Sequence, residues 1–343
     1  MIRVLIVDDS ATMRALLQAR LEDEPDIRVV GSACNAVEAR ELIKLLDPDV
    51  LTLDIEMPGM DGLTFLEKIM RLRPMPVIIV SGSTQAGTAN AARALALGAV
   101  SCYAKADRSG SLLLHDQGAL AALVREAGQV RFGPAWPVSP QVEAQVRKST
   151  QTATSLVAIG SSTGGVEALR SLLPEFGTDC PPTLIVQHVN ARFAAAIAES
   201  LDQVTRAQVV LATSDTRLER GKIYLAPGGD RHLLLGRAGN GSYRTVLRDG
   251  GLVSGHRPSV DALFHSIAAL DVPDAVGVLL TGMGKDGAEG LLAMQQKGAL
   301  TIAQDEASSV VFGMPRAAIS LGAAEIVAPL GRIADHVLGR KAA

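Results

Sequence analysis

Along most of the chain, short apolar runs alternate with longer stretches in which apolar residues recur every three or four positions. In the first hundred residues the runs at 4–7, 27–30, 50–53, 77–80 and 100–103 predict strands. The spacing between them predicts helices over 11–21, 36–46, 63–72 and 89–97, with a further one over 112–127. Runs that are apolar at every position belong to strands covered on both faces, so a parallel sheet between helices is expected. The alternation resumes at residue 156. Strands are predicted over 156–159, 183–187, 209–212, 223–225, 233–235, 243–247, 276–280 and 300–303. Helices are predicted over 166–173, 192–201, 260–270, 288–296, 315–321 and 333–337. The stretch 220–250 reads as β-hairpins turning at Gly228-Gly229 and Gly239-Asn240-Gly241.

The two patterns are separated by a change of composition. Pro134, Pro137 and Pro140 are followed by Ser149-Thr150-Gln151-Thr152, a linker partly stiffened by proline that also holds the lone tryptophan, Trp136. The expected organisation is therefore a five-stranded, doubly wound domain over 1–122, a linker over 123–153, and a doubly wound, mostly parallel α/β domain over 154–343. A length of 343 residues also favours two cores over one.

Composition narrows the function classes. A net charge of −3 with only 3% aromatics offers neither the basic patch nor the stacking platform that nucleic acid requires. No apolar run approaches the roughly 18 residues of a membrane span, and the start, Met1-Ile2-Arg3-Val4-Leu5-Ile6-Val7-Asp8-Asp9, turns acidic too early for a signal peptide. Cys34, Cys102 and Cys180 lack metal-ligand spacing and fit small residues in a reducing cytoplasm. A cytoplasmic protein without membrane insertion is expected.

In the first domain, Asp8 and Asp9 end the first predicted strand and Asp54 the third, with Ser81 and Lys105 ending the fourth and fifth. In a doubly wound sheet such strand ends converge at the switch point. Three carboxylates held together call for a divalent cation, and oxygen ligands favour Mg2+. A hydroxyl and an ammonium beside them are what a transferred phosphoryl group requires. The plainer alternative is that Asp8 and Asp9 cap the next helix.

In the second domain, Ile159-Gly160-Ser161-Ser162-Thr163-Gly164-Gly165 joins a strand to a helix, a geometry suited to an anion or to a nucleophilic serine. A dinucleotide loop is disfavoured, because the glycine spacing is wrong and the next strand ends in Gln187-His188 with no carboxylate for a ribose. Gly284-Lys285 is followed by Asp286 and has no glycine five residues before Gly284, so the phosphate-loop pattern fails as well. A serine needs a base and the base an orienting carboxylate, and His188 and Asp286 stand at the ends of other predicted strands. Taken singly, Ser162 and Asp286 read better as helix caps and His188 as a buried structural histidine; their shared position at strand ends shifts the balance toward a triad. Spacing alone leaves the triad open.

Two resemblances bear on these choices. Leu5-Ile6-Val7-Asp8-Asp9-Ser10, 53–62 (Leu-Asp-Ile-Glu-Met-Pro-Gly-Met-Asp-Gly) and Val80-Ser81-Gly82 resemble the receiver domains of two-component response regulators, which have a flavodoxin-like fold. The resemblance implies Asp54 as phosphoacceptor, Asp8 and Asp9 with Asp54 as Mg2+ ligands, Ser81 as switch hydroxyl and Lys105 as phosphate contact. The chain departs from that family at Ala106, where proline is usual, and at Cys102, where an aromatic is usual. The segments 159–165, Gln187-His188, Ala226-Pro227-Gly228, 256–261 (His-Arg-Pro-Ser-Val-Asp) and 280–287 (Leu-Thr-Gly-Met-Gly-Lys-Asp-Gly) resemble the catalytic domain of the chemotaxis-response protein-glutamate methylesterases. This second resemblance implies Ser162 as nucleophile, His188 as base, Asp286 as orienting acid and the Met283 N–H as oxyanion donor, helped by N–H groups around Gly164 and Gly165. It implies no cofactor in that domain, a substrate on the cytoplasmic helices of methylated chemoreceptors, and a sensor histidine kinase as phosphodonor. His256 and Arg257 would line the substrate groove. A phosphorylation-dependent docking module without turnover is the rival from another class, although it would have no use for Ser162, His188 and Asp286 together.

Overall fold

The computed structural model describes residues 1–57, 59–82, 85–105, 118–130, 154–239 and 241–339, with 85 and 86 described by backbone alone. The chain divides into two compact units, Met1–Phe132 and Gly133–Ala343.

In the first unit, β1 (Ile2–Val7), β2 (Ile27–Ala33), β3 (Val50–Asp54), β4 (Val77–Ser81) and β5 (Ser101–Ala104) form a parallel sheet in the order β2-β1-β3-β4-β5. Helices α1 (Ala11–Glu22), α2 (Ala36–Leu46), α3 (Gly62–Leu72), α4 (Gln85–Ala96) and α5 (Ala119–Ala127) connect and cover it. Val4, Leu5, Ile6, Leu51, Leu53, Ile78 and Ile79 are buried, as expected of strands covered on both faces. Side chains outside the acidic cluster cap the helices: Ser10 accepts from Met13 N, Asn35 from Val37 N and Glu38 N, and Asp61 from Thr64 N. The helix predicted over 112–127 is described from Ala119, and α5 continues through 122. Its Leu120, Ala121, Val124 and Ala127 are buried against β4 and β5. The first unit therefore keeps residues that the expected linker over 123–153 would have claimed, because their apolar stripe is needed to cover the sheet. The linker prolines, Trp136 and Ala106 lie outside the described residues.

In the second unit, β6 (Leu156–Ser161), β7 (Thr183–Gln187), β8 (Gln208–Leu211), β9 (Lys222–Leu225), β12 (Ala275–Leu279), β13 (Leu300–Gln304) and β14 (Ile326–Ala328) form a parallel sheet ordered β14-β13-β12-β6-β7-β9-β8. β10 (Arg231–Arg237) and β11 (Tyr243–Asp249) pair antiparallel as a separate hairpin. The helices are α6 (Gly165–Leu172), α7 (Ala191–Asp202), α8 (Val260–Ala269), α9 (Ala288–Gln296), α10 (Met314–Ser320) and α11 (Leu330–Val337). α8 lies at the centre of this core, with Leu263, Phe264 and Ile267 buried alongside Leu279, Leu291 and Met294. The chain enters at β6, works outward through β7, then crosses back to β12 on the other side of β6. That reversal puts the switch point at β12-β6-β7, the place where doubly wound sheets gather ligands. Among the described residues no helix is long and apolar enough to cross a membrane.

Candidate active site

Ser162 follows β6 and His188 follows β7. The register pairs Ser161 with Gln187, and the His188 N–H donates to the Ser161 carbonyl at 3.0 Å. The buried Gln187 amide ties these strand ends together. Its Nε2 donates to the carbonyls of Ser162 (2.9 Å) and His188 (3.0 Å), while its Oε1 accepts from the Ser161 hydroxyl at 2.7 Å. Ser162 does not cap a helix: the N-cap of α6 is Gly164, with φ +74 and no side-chain cap.

Asp286 lies seven residues beyond β12 and is fully buried. Its Oδ2 meets His188 Nε2 at 2.8 Å and also accepts from Val260 N at 2.7 Å. Oδ1 accepts from the Ser259 hydroxyl (2.7 Å) and from Asp261 N (3.0 Å). The carboxylate therefore sits on the N-terminus of α8, where free N–H groups and the helix dipole favour negative charge. Burial pushes its pKa up, but the His188 bond, the His188 charge and the Asp261 and Ser259 donors outweigh burial and hold it below the usual range. Asp286 does not cap the helix that follows it, since α9 has Gly287 as its N-cap without a side-chain cap; the carboxylate serves the N-terminus of α8 instead.

His188 has Nε2 engaged, while its buried Nδ1 has no hydrogen-bond partner. No hydrogen bond joins Ser162 Oγ to His188 in this resting geometry; such contacts commonly tighten only with substrate bound. A Cβ placed on Gly282 would lie 2.7 Å from Ser162 Cβ, so glycine there lets the loop 281–284 pack directly on the serine. Met283 is next in that loop, and its N–H is given to no acceptor among the described residues. The expected help from Gly165 is corrected: its N–H is already spent on the Ser162 carbonyl at 2.7 Å. His256 lies flat on His188, with ring centroids 3.8 Å apart and planes 9° from parallel. Arg257 donates to Gly250 O at 2.6 Å.

The first unit brings its predicted residues together as well. Asp8, Asp9 and Asp54 offer one carboxylate oxygen each, all within 4.8 Å of one another. Lys105 Nζ stands 2.6 Å from Asp54 Oδ2 and 2.8 Å from Asp8 Oδ2. The latter oxygen lies off the ammonium's hydrogen-bonding directions and has no other partner. Asp8 is pushed up by burial, against the lowering effect of Lys105. Burial lowers the Lys105 pKa, but the Asp54 and Asp8 carboxylates beside it more than reverse this, so it is raised and the side chain stays cationic. Ser81 ends β4 with its hydroxyl donating to Gly87 O at 3.0 Å, and its carbonyl accepts from Lys105 N at 2.6 Å. Ser10 being the cap of α1, Asp8 and Asp9 are left for the cluster. An all-oxygen set with an unbonded buried lone pair suits a hard divalent cation. Cys102, where an aromatic was noted as usual, packs its thiol near Ala91 O, and burial pushes the thiol pKa well up.

The sequence assigned no role to Gln187 or Ser259 within their motif segments, and it did not point to the stacking of His256. The signal for Ser259 was present, since a serine preceding a predicted helix reads as its N-cap, and it does accept from Ala262 N.

Residues 157–337 match the CheB methylesterase family, and residues 4–114 match the response regulator receiver domain family. The chain belongs to the CheB methylesterase family. A protein-glutamate methylesterase/protein-glutamine glutaminase of Caulobacter vibrioides is 52% identical to it, covering 98% of this chain and 97% of that one. One from Rhizobium johnstonii is 50% identical, covering 99% and 97%. Among solved structures, the Thermotoga maritima CheB methylesterase catalytic domain superposes with a TM-score of 0.52 at 34% identity, covering 55% of this chain and 99% of that chain. Members of this family that carry a receiver unit place chemotaxis adaptation under phosphorylation control, and the present chain has both parts.

Proposed function

We propose that the chain hydrolyses glutamyl methyl esters, and deamidates glutamine, on the cytoplasmic helices of methyl-accepting chemoreceptors, with Ser162 as nucleophile. The names of the Caulobacter and Rhizobium relatives support both substrates. The carrying observation is the His188 Nε2–Asp286 Oδ2 bond of 2.8 Å at the strand end next to Ser162, with Nδ1 left unpartnered.

Ser162 Oγ attacks the ester carbonyl while His188 takes its proton, and Asp286 stabilises the imidazolium that results. The carbonyl oxygen becomes an oxyanion beside the Met283 N–H, a donor of a kind that contributes roughly 3 kcal/mol in such sites. Collapse breaks the ester C–O bond, and methanol leaves with the proton from His188. Water then attacks the acyl-enzyme by the reverse proton path, releasing glutamate and restoring Ser162. With a glutamine side chain the leaving group is ammonia and the remaining steps are the same.

In the receiver unit, Asp54 accepts a phosphoryl group from a sensor histidine kinase, and the added charge shifts a two-state regulatory equilibrium that raises esterase activity. Asp8, Asp9 and Asp54 would hold Mg2+, which supplies charge neutralisation for the incoming phosphoryl oxygens. Lys105 holds the phosphoryl by charge, and Ser81 offers it a hydroxyl. Methanol release from methylated receptor is the test. Ser162→Ala should lower it by at least about 10^3-fold. Release equal to that of the unaltered chain would remove Ser162 as the nucleophile, and release by neither protein above the protein-free background would leave receptor docking in its place.

A further inference from the structure

His256 reaches the site from a different segment, the loop between β11 and α8, and that loop is anchored. Val253 and His256 exchange two backbone hydrogen bonds, of 3.1 and 2.9 Å. Just before them, Gly250 O accepts from Arg257 and Gly251 O contacts His232 Nε2 at 2.8 Å. Beyond them, Ser259 N donates to the other nitrogen of the same buried His232 at 3.2 Å. The ring of His256 is thus carried on a braced turn.

His188 has one hydrogen bond to its ring, at Nε2, and none at Nδ1. A ring held at one atom can pivot about that bond, because the terminal torsion of histidine is broad. The face-to-face contact with His256 restrains its plane. We propose that His256 is a positioning residue for the reaction: by stacking on His188 it holds the imidazole plane that keeps Nε2 on Asp286 and leaves the unpartnered Nδ1 to serve Ser162. The near-parallel planes exclude an N–H···N bond between the rings, so His256 acts through shape and π-contact and takes no part in proton transfer. The charged or titratable groups acting on it are His188 and Asp286. Burial, then the His188 charge, bring its pKa down to about 4 against the opposing effect of Asp286, so it offers a neutral π-face to a ring that becomes cationic.

This inference rests on the esterase reading, and two readouts keep the two apart. In the full-length protein, His256→Ala should lower kcat about tenfold with KM changed less than about twofold, since a loosened base costs orientation and leaves binding intact. His256→Phe, which keeps a flat ring, should restore kcat to within about threefold. The downfield proton resonance of the His188 Nε2–H bonded to Asp286 should persist with Phe and broaden with Ala. Unchanged kcat in the Ala variant overturns the proposal, as does an effect confined to KM. Equal impairment of Ala and Phe also overturns it, and the Phe result alone decides if truncation unfolds the loop. Turnover that survives Ser162→Ala removes Ser162 as the nucleophile instead, and the resonance then tests the stack without it.

Discussion

At the scale of single residues, the site depends on groups whose ionisation the fold has already set. His256 is held to a pKa of about 4 against an ordinary 6.5, with burial the first cause. A lowered folded-state value means that the unfolded chain binds the proton first. Its contribution to stability is complete above pH 6.5 and is lost as pH falls toward 4. The slope from one such group is at most about 1.4 kcal/mol per pH unit, and less here because the ring is partly exposed. His256→Phe should remove one proton's worth of this slope in urea midpoints measured from pH 7 to 4. An unchanged slope would place the titration elsewhere, for example on His336, which is lowered by its own burial. Much of the residue placement was legible because Asp54, Ser162 and His188 each end or directly follow an apolar strand. The partners of Asp286 were not legible. Which helix end a carboxylate serves depends on the crossing of α8 over β6 and β7, and no local pattern records that crossing.

At the scale of elements, the packing leaves little room under the phosphoacceptor. The Gly62 N–H donates to Ile55 O at 3.0 Å, and a Cβ on Gly62 would collide with the Asp54 carbonyl. Gly62→Ala should destabilise the first unit by about 1–3 kcal/mol, read as a lower denaturation midpoint. A midpoint equal to that of the unaltered chain would mean that α3 can slide away without cost. The long periodic elements were readable from spacing and their edges less so. Helix α4 begins at Gln85, ahead of the apolar spacing that predicted it from 89, because backbone bonding can extend a helix over polar residues. Strand β14 was missed altogether: it has three residues, with Val327 44% exposed, too short for any period to appear. Its pairing with β13 comes from the sheet edge that receives it.

At the scale of the whole molecule, two units with separate cores invite separate perturbation. Mg2+ bound at Asp8, Asp9 and Asp54 should raise the melting temperature of the first unit and leave that of the second unchanged. A cation at 100 times its dissociation constant stabilises by about 2.7 kcal/mol. Asp9→Ala should abolish the shift in a calorimetric scan, and a shift that survives would move the metal elsewhere. The coupling between units has its own test. A small phosphodonor should raise esterase activity in the unaltered chain and leave Asp54→Ala at its basal rate. A response in that variant would remove Asp54 from the switch. The two-unit organisation was visible in the composition change near residue 130, while the first unit's end was not, because α5 is amphipathic and reads equally as a domain's last helix or a linker's first.

The clamp made by Gln187 has one more consequence. An amide carries no charge to gain or lose, so its bonds to the Ser162 and His188 carbonyls keep the same strength across the range in which the neighbouring imidazoles and carboxylates titrate. Acidification can therefore silence the reacting groups while their spacing stays fixed. Return to neutral pH should restore activity as fast as protons exchange, with no slow structural step in between.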